Sequence, residues 1–198
     1  QAVEGLTPGY FALVMATGII SIGMSLEGFA LLSQGLLAIT VIAFVVLLTL
    51  TAFRFLVYRS AVVSDFMDPR RAFGFFTFVA GTNVLGARLG MEGHYAVTAT
   101  LLGLSGIAWL VLGYVIPWTA VLGPQERPVV ATANGTWFIW VVASQSVAIA
   151  AATIEPIYDP LRRELALLAI VSWSVGVFLY AAAGVFDMRD MMKVKDAL

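Results

Sequence analysis

The chain has 198 residues, 61% of them apolar and only 12% charged, with 11 Lys plus Arg against 12 Asp plus Glu. Soluble domains carry roughly 45–50% apolar and 25% charged residues, so this is the composition of a bilayer protein. A net charge of −1 offers no basic field for nucleic acid. Without cysteine, disulfides, thiolate nucleophiles, iron–sulfur clusters and cysteine zinc sites are excluded.

A helix crossing the bilayer core needs about 20 mostly apolar residues, and six runs of that kind fill the sequence. The first, 8–26, opens at Pro8, which suits a helix start, and stops at Glu27-Gly28. The second covers 33–57 and is followed by a polar connector, 58–71, that contains Asp68-Pro69-Arg70-Arg71. The third covers 72–89 and the fourth 95–117. A second connector, Gly123-Pro124-Gln125-Glu126-Arg127-Pro128, precedes the fifth run, 136–154, which Glu155-Pro156 closes. The sixth covers 164–186 and gives way to a charged tail, 187–198. No basic segment or cleavable signal pattern precedes the first run, and Gln1 reads as a trimmed start.

Lys and Arg gather on the cytoplasmic side of short loops. With the N-terminus inside, that side holds Arg54, Arg59, Arg70, Arg71, Arg127, Arg189, Lys193 and Lys195, and the outside holds Arg88, Arg162 and Arg163. The expected fold is therefore all-α and integral to the plasma membrane, with six transmembrane helices. They form three hairpins (8–57, 72–117 and 136–186), with both termini cytoplasmic.

The hairpins repeat. Odd runs open with Gly9-Tyr10-Phe11, Gly74-Phe75-Phe76 and Gly135-Thr136-Trp137-Phe138, spaced 65 and then 62 residues apart on the second aromatic. Six residues past that aromatic stand Thr17, Thr82 and Ser144, and four further on stand Ser21, Gly86 and Ala148. Residues four apart share a helix face, so a small, hydroxylated face recurs at one depth in three helices. Hairpins repeated in one orientation are related by an axis along the membrane normal, as in parallel-repeat transporters. The shared face is then a candidate transport path of Thr17, Ser21, Thr82, Asn83, Gly86, Ser144 and Gln145, with even helices toward lipid. Small-residue helix packing explains any one of these helices equally well; the common register of three favours a path.

The predicted spans carry almost no ionised side chain away from their ends, which argues against a proton pump. Neutral donors along a path with arginines at its mouths suit an anion that must enter and leave without tight binding. Arg88 at the outer end of the third helix, and Arg70 and Arg71 at its inner start, are the mouth candidates. Arg70 and Arg71 equally fit topology-setting anchors. Gly103-Leu104-Ser105-Gly106 looks like the nucleophile motif of rhomboid proteases, but a serine nucleophile needs an adjacent base. The single histidine, His94, stands in the loop before the fourth helix. Ser105 is therefore read as a packing residue between glycines, and His94 as a solvated loop residue. No metal or other cofactor is implied, nor is catalysis. The sequon Asn134-Gly135-Thr136 falls on the predicted cytoplasmic side, where it would be unused.

The segments Pro8-Gly9-Tyr10-Phe11-Ala12-Leu13-Val14-Met15-Ala16-Thr17-Gly18, Asp68-Pro69-Arg70-Arg71 with Phe73-Gly74-Phe75-Phe76, and Gly135-Thr136-Trp137-Phe138 resemble the tellurite-resistance/dicarboxylate transporter family, to which plant slow anion channels are related. The resemblance covers about residues 6–179. It implies five hairpins around a central pore, odd helices inside, often assembled as homotrimers, carrying small anions such as chloride, nitrate, malate or tellurite. It also implies a pore-occluding phenylalanine on a ninth helix, which has no counterpart here. With three hairpins present, a fragment, a shortened member that completes its ring by association and a non-transporting interaction protein are the alternatives.

Overall fold

The computed structural model describes residues 3–122 and 137–196. A 3-10 turn, Pro8–Phe11, leads into α1 (Ala12–Leu26), followed by α2 (Ala30–Val57), α3 (Arg59–Met67) and the four-residue α4 (Pro69–Ala72). A second 3-10 turn, Phe73–Phe75, leads into α5 (Phe76–Met91); then come α6 (Tyr95–Leu122), α7 (Trp137–Ile154) and α8 (Arg162–Asp196).

Hydrogen bonds fix how the helices run. Ser21 pairs with Ser33 and Thr17 with Thr40, so α1 and α2 are antiparallel. Thr98 and Ser105 of α6 bond to Gly86 and Asn83 of α5, again antiparallel, and Gln145 of α7 reaches the Trp173 carbonyl of α8. The odd helices run together. Thr77 at the start of α5 donates to the Pro8 carbonyl, whereas Arg88 at its end bonds Ser21 near the end of α1. Between α5 and α7, Phe76 stacks on Trp140, Asn83 meets Ser146, and Gly90 lies against Thr153. Among the described residues the long helices thus pair antiparallel, α1 with α2, α5 with α6 and α7 with α8, and α1, α5 and α7 run parallel.

The repeat extends to helix ends. Two odd helices begin with a 3-10 turn built from the Gly-aromatic-aromatic motif, and these turns touch: a Cβ on Gly74 would lie 3.2 Å from the Gly9 backbone nitrogen. At the other end, Glu27-Gly28 and Glu92-Gly93 close α1 and α5 alike, with glycine φ values of 82° and 84° that L side chains rarely adopt. Phe29 N–H bonds back to the Met24 carbonyl and His94 N–H to that of Leu89, which satisfies carbonyls that the last turn leaves unpaired.

α5 is the central element, flanked by α1, α6 and α7 and buried along nearly its whole length. Its glycines allow this. A Cβ on Gly81 would lie 3.1 Å from the Phe11 carbonyl oxygen, and one on Gly90 2.8 Å from the Thr153 methyl. Burial relieves α5 of the need to be apolar. With 16 residues that include Thr77, Thr82, Asn83 and Arg88, it is absent from the five helices among the described residues that are long and apolar enough to cross a membrane.

Several boundaries differ from expectation. α2 begins at Ala30 rather than at 33, because the Gly28 turn allows the helix to restart at once. The connector 58–71 is mostly helical: Tyr58, with φ −115°, ends α2, and α3 and α4 follow. α6 runs through Pro117 to Leu122, since proline removes one donor without always ending a helix. The charged tail is a continuation of α8 to Asp196; Met, Arg and Lys favour helix whether or not they face lipid.

Candidate transport face

The odd helices meet around a cavity of about 330 Å³. Ile19 and Ile22 of α1, Asn83 and Ala87 of α5, and Gln145 and Ile149 of α7 line it. Among the described residues its polar groups are two amides and the Ser146 hydroxyl, and no ionisable side chain lines it. Asn83 is fixed on both sides, accepting from the Ser105 hydroxyl at 2.6 Å and donating to the Ser146 hydroxyl at 3.2 Å. Gln145 donates to the Trp173 carbonyl at 3.2 Å, and Gly176 of α8 lies directly beneath its amide.

Of the residues singled out for a path, the structure brings Asn83 and Gln145 to this cavity and places the others in helix contacts. Thr17 donates to the Leu13 carbonyl at 2.8 Å and accepts from Thr40 of α2 at 2.9 Å. Ser21 donates to the Ser33 carbonyl at 2.8 Å. Gly86 lets Thr98 approach its carbonyl to 2.7 Å. Ser144 donates to the Trp140 carbonyl and accepts from the Trp109 indole N–H, both at 3.0 Å, which turns it toward α6. The Thr82 hydroxyl is buried and finds no hydrogen-bond partner among the described residues. The cavity lies beside Asn83 and Gln145, one residue past Thr82 and Ser144.

Arg88 is fully buried, and each of its three guanidinium nitrogens has a partner. Its Nε donates to Ser21 Oγ at 3.0 Å, Nη2 to Ser33 Oγ at 2.9 Å, and Nη1 to Glu92 Oε1 at 2.7 Å. Gln34 donates to the same Glu92 oxygen at 3.0 Å. One guanidinium thus ties the ends of α1, α2 and α5 at the hairpin turns, and it holds the Glu92 carboxyl below its ordinary range. The four-residue spacing of Arg88 and Glu92, an i,i+4 pair, was the available sequence signal; the serines are visible only in three dimensions.

At the opposite end of the bundle, Asp65 of α3 is buried between two arginines. Its Oδ2 lies 2.8 Å from Arg54 Nη1 and its Oδ1 2.7 Å from Arg71 Nη1. Arg54, also buried, donates through Nε to the Glu4 carbonyl. The side chain of Arg70 and the sequon at Asn134 lie outside the described residues. Ser105 is buried and bonded to Asn83, whereas its glycine neighbours Gly103 and Gly106 face open space, so the serine rather than the glycines makes the contact. His94 is exposed. Among the described residues no cluster of His, Cys, Asp and Glu could hold a metal ion.

No solved structure matches this chain. An uncharacterized transporter of Methanocaldococcus jannaschii is 25% identical over 187 residues, covering 91% of this chain and 53% of the relative. The chain therefore spans about half the length of that curated relative. Residues 5–195 match the family described as voltage-dependent anion channel. These are channels and transporters rather than enzymes. With apolar helices, parallel odd helices and a match along nearly its whole length, the chain belongs to the voltage-dependent anion channel family.

Proposed function

We propose that the faces of α1, α5 and α7 that meet in the 330 Å³ cavity line part of a path for small anions. The observation that carries this reading is the cavity itself, shared by three parallel helices and furnished with amides and a hydroxyl but no charge. Amide N–H groups stabilise an anion that has shed part of its hydration shell, and the lack of a fixed cation keeps it from being trapped. In this reading the protein makes six crossings of the plasma membrane with both ends cytoplasmic, the short helix α5 being shielded from lipid by its neighbours. Thr17, Ser21, Thr82, Gly86 and Ser144 set the spacing of the helices around the path. Arg70 and Arg71 draw anions to the inner mouth, and the Arg88 clamp holds the outer one open. Inorganic anions, C4-dicarboxylates and tellurite share the chemistry that such a wall accepts, and assembly as a homotrimer places several paths side by side.

The absence of native cysteine makes the test direct. Single cysteines replacing Ile19, Val142 or Gln145 are expected to react with a membrane-impermeant thiol reagent in reconstituted protein, whereas cysteines replacing Thr82 or Ser144 stay protected. Protection of the first group would remove the path. A second reading, a non-transporting membrane interaction protein, draws on the engagement of Thr17 and Ser144 with neighbouring helices. It predicts that the first group becomes reactive only when a partner is stripped away.

A further inference from the structure

A second, larger cavity of about 470 Å³ lies outside the ring of odd helices, between α2, α5 and α6. Its size falls within the roughly 300–1,000 Å³ of ligand pockets. The wall is almost wholly apolar. Phe66 and Phe75, stacked at 4.0 Å, form part of it, and Phe11 and Phe78 contribute further aromatic surface. Its outer rim consists of exposed side chains on two helices, Leu48 and Phe55 of α2 and Leu104, Ile107 and Val111 of α6. The slot thus opens sideways, on helices long and apolar enough to cross a membrane. A molecule filling a slot of this size gains dispersion contacts along its lining, and an acyl chain is the apolar molecule present at that depth.

One end of the slot is cationic. Arg54 lines it and shares Asp65 with Arg71. Two guanidiniums on one carboxylate leave a positive charge uncompensated within the triad, and the Arg71 side chain is 41% exposed. The surrounding segment 54–71 carries four arginines, Arg54, Arg59, Arg70 and Arg71, against two carboxylates, Asp65 and Asp68. An apolar slot open to lipid and ending at an unbalanced guanidinium pair matches one kind of molecule from end to end.

We propose that this cavity is a binding site for an anionic phospholipid, with one acyl chain between α2 and α6 and the phosphate on the exposed edge of Arg71 beside Arg54. The proposal rests on α2 and α6 facing the bilayer, not on transport through the inner cavity. Lipid held there would brace α3 and the N-terminal segment against the bundle.

The test uses delipidated protein in detergent, to which phosphatidylglycerol or phosphatidylcholine with identical acyl chains is added. Native mass spectrometry counts retained lipid and thermal unfolding reports stabilisation. The expected result is one tightly held phosphatidylglycerol that raises the melting temperature, with phosphatidylcholine held more weakly. Ala108→Trp, which fills the slot, abolishes retention of both lipids while the protein still unfolds cooperatively; Leu104→Trp, one turn away, is the second blocking variant. Arg71→Gln lowers phosphatidylglycerol retention by about tenfold, the loss expected for one charge-assisted contact, and leaves phosphatidylcholine unchanged. Equal retention of the two lipids by the unmodified protein would overturn the headgroup assignment. Undiminished retention in both tryptophan variants would overturn the site.

Discussion

The Arg88 clamp gives an asymmetric prediction. Replacing Ser21 and Ser33 together with alanine removes the acceptors of Nε and Nη2 while the guanidinium stays buried. Each unsatisfied buried donor costs about 1–3 kcal/mol, so the double variant loses about 2–6 kcal/mol. At roughly 2–4 °C per kcal/mol for a chain of this size, the melting temperature falls by roughly 4–24 °C. Arg88→Met behaves differently. Ser21 Oγ keeps the Ser33 carbonyl at 2.8 Å and Ser33 Oγ keeps the Ser21 carbonyl at 2.7 Å. Glu92, with its side chain 36% exposed, is hydrated and still bonded to Gln34. Nothing is left orphaned, and replacing a buried ionic group by an apolar one of similar length is often neutral. The melting temperature should move by no more than about 3 °C, and adding Arg88→Met to the double serine variant should restore most of its loss. The assay is tryptophan fluorescence on heating in detergent. If Arg88→Met melts as low as the double serine variant and fails to rescue it, the guanidinium stabilises the fold by its own charge and the orphaned-donor reasoning is wrong.

Other predictions follow from single contacts. Asp65→Asn leaves two arginines facing each other, one of them buried, and should cost about 3–5 kcal/mol, read as a lower melting temperature and faster proteolysis near α3. Gly81→Leu forces a side chain against the Phe11 carbonyl and should destabilise by at least about 1–3 kcal/mol; Gly103→Ala, with open space around it, should be neutral or slightly stabilising. The lowered Glu92 carboxyl contributes stability that is complete above the ordinary carboxylate range and is lost as pH falls through the lowered value. Glu92→Gln should therefore lower the neutral region of a melting-temperature profile, converge with the unmodified protein at acid pH and so flatten the acid limb.

Much of the fold is legible from the sequence because the bilayer imposes a length on each apolar run, and the Gly-aromatic-aromatic openings mark a repeat that the paired 3-10 turns reproduce. Legibility fails where a neighbour decides. The spacing of Thr17, Thr82 and Ser144 shows a common face, yet it cannot show that Trp109 takes up Ser144 or that Thr40 takes up Thr17. The cavity-facing side is one residue further on, at Asn83 and Gln145, and amides give no periodic signal. Arg88 looks like a mouth residue because it ends a helix. Ser33 in the first turn of α2 and Ser21 of α1 hold it inside, and such long-range pairing leaves no local trace. Polarity in the connector 58–71 reads as loop, although Asp65 is polar because it is buried between arginines.

The central claim, that the cavity between α1, α5 and α7 is an anion path, is tested most directly by blocking it. Ala87→Trp and Ile149→Trp each place an indole in the cavity from a different helix. Anion flux is measured in liposomes holding the protein encoded by the full native reading frame that carries this sequence, beside a Gly103→Trp control on the outer face of α6. Either cavity variant is expected to lower flux by at least about tenfold, a barrier increase of about 1.4 kcal/mol, with melting temperature retained and the control unaffected. Flux unchanged in both cavity variants would contradict it.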